Sequence, residues 1–178
     1  IQAFIRLSQV VHVLADKIVD WDMIVDRFDQ LNSIASAGRD NISEDVTLLD
    51  IDRVNTAISR FKNYTVFITD ESLVKLMTSL VALSMNGLAV SAGASNIPRT
   101  KSEEAFRSIN NISPFNLNCD ALGSTLYTII DIVKLNSYRI SIVWQMVTSH
   151  LKLIASLKSQ NSRKFAVNAM FEMIRLSL

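Results

Sequence analysis

The chain has 178 residues, of which 49% are hydrophobic and 20% are charged, with only four Gly and two Pro. This composition favours long helices and excludes a fold built on tight β-turns, so we expect an all-α protein. The single cysteine excludes an internal disulfide and a metal site built on cysteines, which favours a reducing, cytoplasmic location. No apolar run is long enough to span a membrane, and the net charge is only +1.

The first two predicted helices form an antiparallel hairpin. Apolar residues recur at three- and four-residue intervals from Ile1 to about Lys17, which is typical of an amphipathic helix. Asp20 is predicted to be the N-cap of a second helix, whose buried stripe includes Trp21 and Phe28.

Two more helices are predicted in the middle of the chain, each next to a loop. Residues 36–49 mix small, polar and charged side chains without a sustained period, so we expect a flexible loop. Asp50 is predicted to cap a short third helix, and Asp70 opens a longer fourth helix with Leu80 in its apolar stripe. Residues 92–118 contain both prolines and are predicted to be a second flexible loop or an insertion.

The last three predicted helices begin near Ala121 and end in a helical hairpin. The two helices of that hairpin carry Trp144 and Phe165 on their apolar faces, and Asn161 or Ser162 is predicted to cap the second one. Seven helices in antiparallel pairs predict an armadillo- or HEAT-like α-solenoid segment. A closed helical bundle is the alternative fold.

Five large side chains are predicted to form the structural core. They lie at apolar positions of four different predicted helices: Trp21, Phe28, Leu80, Trp144 and Phe165. We expect residues 1–178 to form a single helical repeat domain. Because the chain begins without Met and its last helix is apolar to its end, we also expect a fragment of a larger protein.

The sequence contains no constellation of residues typical of catalysis, cofactor binding or metal binding. His12 and His150 have no histidine or cysteine at ligand spacing, so packing within a helix is the favoured interpretation of both. Cys119 has no nearby histidine, and the glycines are isolated rather than grouped in a phosphate-binding loop. We therefore expect a protein that is not an enzyme and has no cofactor, metal or small-molecule substrate.

One basic segment has a testable physical role. No acid lies between Asp131 and Glu172, while Lys158, Arg163 and Lys164 follow one another closely in that interval. Clustered cations attract the phosphates of lipid headgroups, so these three residues are a candidate contact with an anionic membrane. A solvated helix face is the alternative, and nucleic acid is not expected because aromatic residues do not interleave with the charges.

Three sequons, at Asn41, Asn63 and Asn111, fit the glycosylation pattern. Such matches are common in a chain rich in Asn, Ser and Thr. The absence of disulfides argues against secretion, and hence against their use.

Several short stretches resemble a known family. They are Arg139-Ile-x-Ile-x-Trp144, then Thr148-x-His150-Leu151 and Asn161-Ser162-Arg163, preceded by Trp21 with Ile24 and Leu31, Ile58-Ser-Arg60 and Leu80-Val-Ala-Leu83-Ser84. In order and spacing the chain looks like the Mon two (monensin-sensitivity) family of Golgi and endosome scaffolds. More distantly it resembles the helical region downstream of the exchange domain in large Arf-activating factors of the BIG and GBF type, to which Phe165-Ala-Val167 is closer.

The resemblance implies an armadillo-like segment of a peripheral trans-Golgi and endosomal membrane protein. Such proteins act in endosome-to-Golgi vesicle transport with a Dopey-type scaffold and a lipid flippase as partners. The first alternative is a regulatory segment of an Arf guanine-nucleotide exchange factor. The second is a nucleic-acid or transport-receptor α-solenoid.

Overall fold

The computed structural model describes residues 14–18, 20–40, 48–91, 124–157 and 159–178. These ranges contain helices and no strand, which confirms the predicted all-α class, while the solenoid arrangement stays a prediction. Within them, no helix is both long and apolar enough to cross a membrane. The described residues form six α-helices, which are α1 (Trp21–Asp40), α2 (Leu48–Tyr64), α3 (Asp70–Ser91), α4 (Ser124–Leu135), α5 (Ser141–Ala155) and α6 (Gln160–Ser177). In the same part of the chain, the 3-10 turns Ala15–Lys17 and Ser137–Arg139 precede α1 and α5.

The chain divides into two compact units, Ile1–Leu76 and Met77–Leu178. The single domain stays a prediction. In the first unit α1 packs on α2. The rings of Phe28 and Phe61 meet there with centroids 4.5 Å apart at an angle of 44°. Most of the first predicted helix, residues 1–13, lies outside the described part of the chain.

In the second unit α5 and α6 pack along each other as the predicted hairpin, and α4 packs against α6. The buried side chains of α5 are mainly branched aliphatic ones, Val143, Val147, Leu151 and Ile154, and Thr148 and His150 are also buried. Those of α6 are mainly small, and they are Ser162, Ala166, Ala169 and Met173. The small side chains allow the two helix axes to approach closely, because they add little bulk to the interface.

The predicted cap of α1 and the residue predicted to open α3 both lie where the sequence indicates. The Asp20 Oδ1 atom accepts a hydrogen bond from the Met23 backbone N–H at 3.2 Å, which confirms the predicted N-cap of α1. At α3 the Thr69 hydroxyl oxygen accepts the Ser72 N–H at 3.3 Å. Asp70 is therefore the first helical residue, where its charge favours the helix dipole.

Two other predicted caps are wrong. Helix α2 begins at Leu48, so Asp50 lies inside its first turn. Helix α6 is capped by Ser159, whose backbone is extended and whose side chain accepts the Ser162 N–H at 3.3 Å, so neither Asn161 nor Ser162 is the cap. A cap is set by which residue leaves the helical backbone conformation, and several neighbouring polar residues here satisfy the sequence rule equally well.

The predicted loop at residues 36–49 needs correction at both ends. Helix α1 continues to Asp40 and α2 begins at Leu48, while residues 41–47 lie outside the described part of the chain. One glycine inside a helix costs only about 1 kcal/mol relative to alanine, so Gly38 does not end α1. The second predicted loop, residues 92–118, also lies outside the described residues.

The five residues predicted for the core differ in burial. Trp21, Phe28 and Leu80 are buried. Trp144 and Phe165 are only half-buried, so both lie at the edge of the core rather than inside it. In each of these helices a smaller apolar side chain, one position away, fills the buried face instead.

Candidate binding groove between α4 and α6

An open groove with a volume of about 620 Å³ lies between α4 and α6. Each helix contributes side chains three or four residues apart, a spacing that places them on one helix face. The lining residues are Tyr127, Ile130, Asp131 and Lys134 of α4, and Phe165, Asn168, Ala169, Phe171 and Glu172 of α6. Because α4 packs against α6, these two faces meet along the groove.

Aromatic side chains form one part of the groove wall. The rings of Tyr127 and Phe165 make an edge-to-face contact, with centroids 4.8 Å apart and planes at 76°. Such a pair holds both rings in defined positions. Half of the Tyr127 side chain remains exposed, so its apolar surface is accessible from solvent.

An ion pair joins the two helices across the same groove. The Lys134 Nζ atom lies 2.6 Å from the Glu172 Oε2 atom. The hydrogen bond from Lys134 and then its positive charge lower the pKa of Glu172, desolvation partly opposes this lowering, and the charge of Arg175 adds the smallest lowering contribution. Glu172 is therefore ionised at neutral pH. The pair forms the polar end of the groove and is well exposed, so it contributes little to the stability of the fold.

This arrangement suits noncovalent binding. The volume is within the range of about 300 to 1,000 Å³ typical of ligand pockets. An aromatic wall can accept an apolar side chain, while the ion pair offers a donor and an acceptor beside it. Among the described residues, the titratable groups that line the groove are two carboxylates, a lysine and a tyrosine.

A second polar feature, His150 with Ser84, lies in the interior of the second unit. The His150 Nε2 atom is 3.0 Å from the Ser84 hydroxyl oxygen, while the Nδ1 atom is buried and has no hydrogen-bond partner among the described residues. Burial lowers the pKa of His150 to about 4. A general base works best with a pKa near the operating pH and an orienting partner, and His150 has neither. Its burial agrees with the packing interpretation.

Of the three residues of the candidate membrane contact, the structure describes Arg163 and Lys164. Arg163 and Lys164 are exposed on α6, and the Arg163 Nη1 atom donates to the Leu157 carbonyl at 2.8 Å. Lys158 lies outside the described part of the chain. The membrane contact therefore stays a prediction. No group of three or more potential metal ligands is found among the described residues, which do not include His12 or Cys119.

Most residues of the groove between α4 and α6 were not predicted from the sequence as a binding site. Phe165 was predicted as a core residue, whereas it lines the groove together with Tyr127. Phe171 is not part of the apolar face predicted for α6. It follows Val167 by four residues and precedes Ile174 by three. That spacing was a usable signal, because it describes a second apolar stripe on the same helix.

Comparison with protein-family models, curated proteins and solved structures finds no match to this chain. The similarity to the Mon two family therefore depends on the short sequence stretches given above, and the family assignment is a proposal.

Proposed function

We propose that this chain is a non-enzymatic scaffold segment that holds protein partners at the cytoplasmic face of trans-Golgi and endosomal membranes. In this proposal the segment acts in endosome-to-Golgi vesicle transport, and a Dopey-type scaffold is the first partner to test. The groove between α4 and α6 is the observation that carries the binding role. The cellular location and the partner depend on the sequence resemblance alone.

The groove supports the proposal because it combines accessible aromatic surface with a fixed ion pair. Tyr127 and Phe165 offer the apolar surface, and Lys134 and Glu172 offer the polar end. Helix-in-groove and side-chain-in-pocket recognition both use this combination of features. The lining residues that the structure describes all lie on two helices, and side chains held on helices lose less entropy on binding than side chains of a loop.

The test is copurification and imaging of the tagged chain in cells. We expect the parent chain to overlap with trans-Golgi and endosomal markers and to recover the Dopey-type scaffold. Substituting both groove aromatics, Tyr127→Ala with Phe165→Ala, should reduce that recovery about tenfold or more if the pair is an interaction hot spot.

The matched control is Phe67→Ala, because Phe67 is 75% exposed and lies outside the groove. It should leave recovery unchanged. A parent chain that spreads evenly through the cell and recovers no Dopey-type scaffold would show that the proposed location and partner are wrong. Circular dichroism of each variant establishes that helicity is retained.

A further inference from the structure

Helix α6 has two apolar stripes, and the second one faces solvent. The first stripe, which includes Ala166 and Met173, is buried. The second consists of Val167, Phe171 and Ile174, with exposed fractions of 42%, 68% and 47%. At about 100° per residue, the second stripe lies roughly 140° around the helix from the first. Helix α5 can cover only one of these two apolar faces, because they point in different directions.

The exposed stripe is bordered by positive charge. Because each residue adds about 100° of rotation, Arg163 lies at one edge of the stripe and Lys164 and Arg175 lie at the other. All three are exposed. The only acid of α6 is Glu172, which pairs with Lys134 on the side of α4. The solvent-facing surface of α6 is therefore apolar along its middle and cationic along both edges.

The geometry of the stripe favours a helix as its occupant. Spacings of four and three residues between Val167, Phe171 and Ile174 match the a and d positions of a heptad seam. The stripe spans only about 60° of the helix circumference, as narrow as a coiled-coil seam, whereas a helix lying on a membrane presents a whole apolar face to the lipid. A second copy packed through the same stripe would bring like charges together, which is unfavourable.

We propose that the outer face of α6 binds an amphipathic helix of a partner protein whose apolar seam is flanked by Asp or Glu. Leucine-like side chains of that helix pack around Phe171, and its carboxylates pair with Lys164 and Arg175. This inference rests on the proposed scaffold function and names the chemistry of one partner. It uses the surface beside the groove, and Phe171 is shared by both.

The test uses the full 178-residue chain and fluorescent synthetic helices. The acidic probe has about three heptads with Leu at a and d and Glu at e and g, and the basic probe has Lys at e and g. We expect the acidic probe to bind, with an affinity that falls as salt is added, and the basic probe not to bind. Vesicles of phosphatidylcholine with phosphatidylserine test the membrane as occupant, and sedimentation of the chain alone tests a second copy.

Three variants of α6 and one control variant make the test specific. Phe171→Asp should weaken binding of the acidic probe at least tenfold, and Val167→Asp is the second variant if that protein does not fold. Lys164→Glu with Arg175→Glu should reverse the preference in favour of the basic probe. Phe67→Asp is the control, because this exposed phenylalanine lies outside α6 and should bind as the parent does.

Equal binding of the two probes, or unchanged binding by Phe171→Asp, would overturn the inference. Binding to vesicles without binding to the acidic probe would overturn the inference and indicate that a membrane occupies the stripe. Self-association that is lost in Phe171→Asp would overturn it and indicate that a second copy of the chain does. Probe binding is measured without cells. A chain that binds the probe and does not reach the Golgi therefore contradicts only the proposed location. A chain that reaches the Golgi and does not bind the probe contradicts only this inference.

Discussion

His150 is the residue with the most unusual surroundings among those described. It is buried in α5, its Nε2 atom meets the Ser84 hydroxyl of α3, and its Nδ1 atom has no hydrogen-bond partner in the described part of the chain. The neighbouring contact between the same helices is weak, since the Thr78 hydroxyl donates to the Met146 sulfur at 3.8 Å. Burial of the imidazole, with no charged partner among the described residues, strongly favours its neutral form in the folded chain.

This burial predicts that acid destabilises the fold. The pKa of His150 is about 4 in the folded chain against an ordinary value of 6.5, so only the unfolded chain takes up the proton between these values. The contribution of His150 to stability is complete above pH 6.5 and is lost as the pH falls towards 4. The free energy of unfolding should fall by about 1 kcal/mol per pH unit in that window. Urea unfolding at several pH values measures it.

The control for this prediction is His150→Gln, which keeps a polar group near Ser84 and does not titrate. Its unfolding free energy should vary less steeply between pH 6.5 and 4 than that of the parent. Other groups that titrate in this window are common to both proteins and cancel in the comparison. Identical slopes for parent and variant would contradict the prediction.

At the scale of elements, α6 determines most of the functional surface. One face packs on α5, a second lines the groove with α4, and a third carries the exposed apolar stripe. The orientation of these faces depends on where the helix begins. Ser159 caps that beginning and is itself buried, so the start of α6 is fixed by a local hydrogen bond.

The cap leads to a prediction that separates two neighbouring polar residues. Ser159→Ala removes the acceptor of the Ser162 N–H and should lower the free energy of unfolding by about 1 kcal/mol. Asn161→Ala is the matched control, because Asn161 is exposed inside the first turn, where alanine is the better helix former. Thermal unfolding followed at 222 nm measures both. A larger loss in Asn161→Ala than in Ser159→Ala would show that the cap is assigned to the wrong residue.

At the scale of the whole molecule, the distribution of charge bears on the class of partner. The chain is acidic between Asp16 and Asp52 and basic between Lys134 and Lys164, with a net charge of +1. Among the described cations of the basic part, several interact with groups of the chain itself. Lys134 pairs with Glu172, Arg139 donates to Asn136, and Arg163 donates to the Leu157 carbonyl.

We therefore predict that the full chain does not bind nucleic acid. Binding would require cations that can replace the counterions of many phosphates at once, and these side chains already interact elsewhere. Fluorescently labelled single- and double-stranded oligonucleotides should remain free in low salt. Binding that weakens steeply as salt is added would favour the nucleic-acid α-solenoid alternative and contradict this prediction.

The candidate site was only partly predictable from the sequence. The spacing that places Phe165 on one face of α6 is visible in the chain, but the nearness of Tyr127 is not, because that residue belongs to another helix. The same holds for His150 and Ser84, which are 66 positions apart. Contacts between helices depend on how the helices pack, and a pattern within one helix contains no information about its neighbour.

The sequence by itself determined the all-α class, the hairpin of α5 and α6, and the cap at Asp20, because each depends on residue spacing or on a local hydrogen bond. Only the tertiary structure decided which apolar stripe of α6 is buried. Two stripes satisfy the same helical spacing, and packing against α5 selects the one with small side chains. The stripe that contains Phe171 is left in solvent for this physical reason.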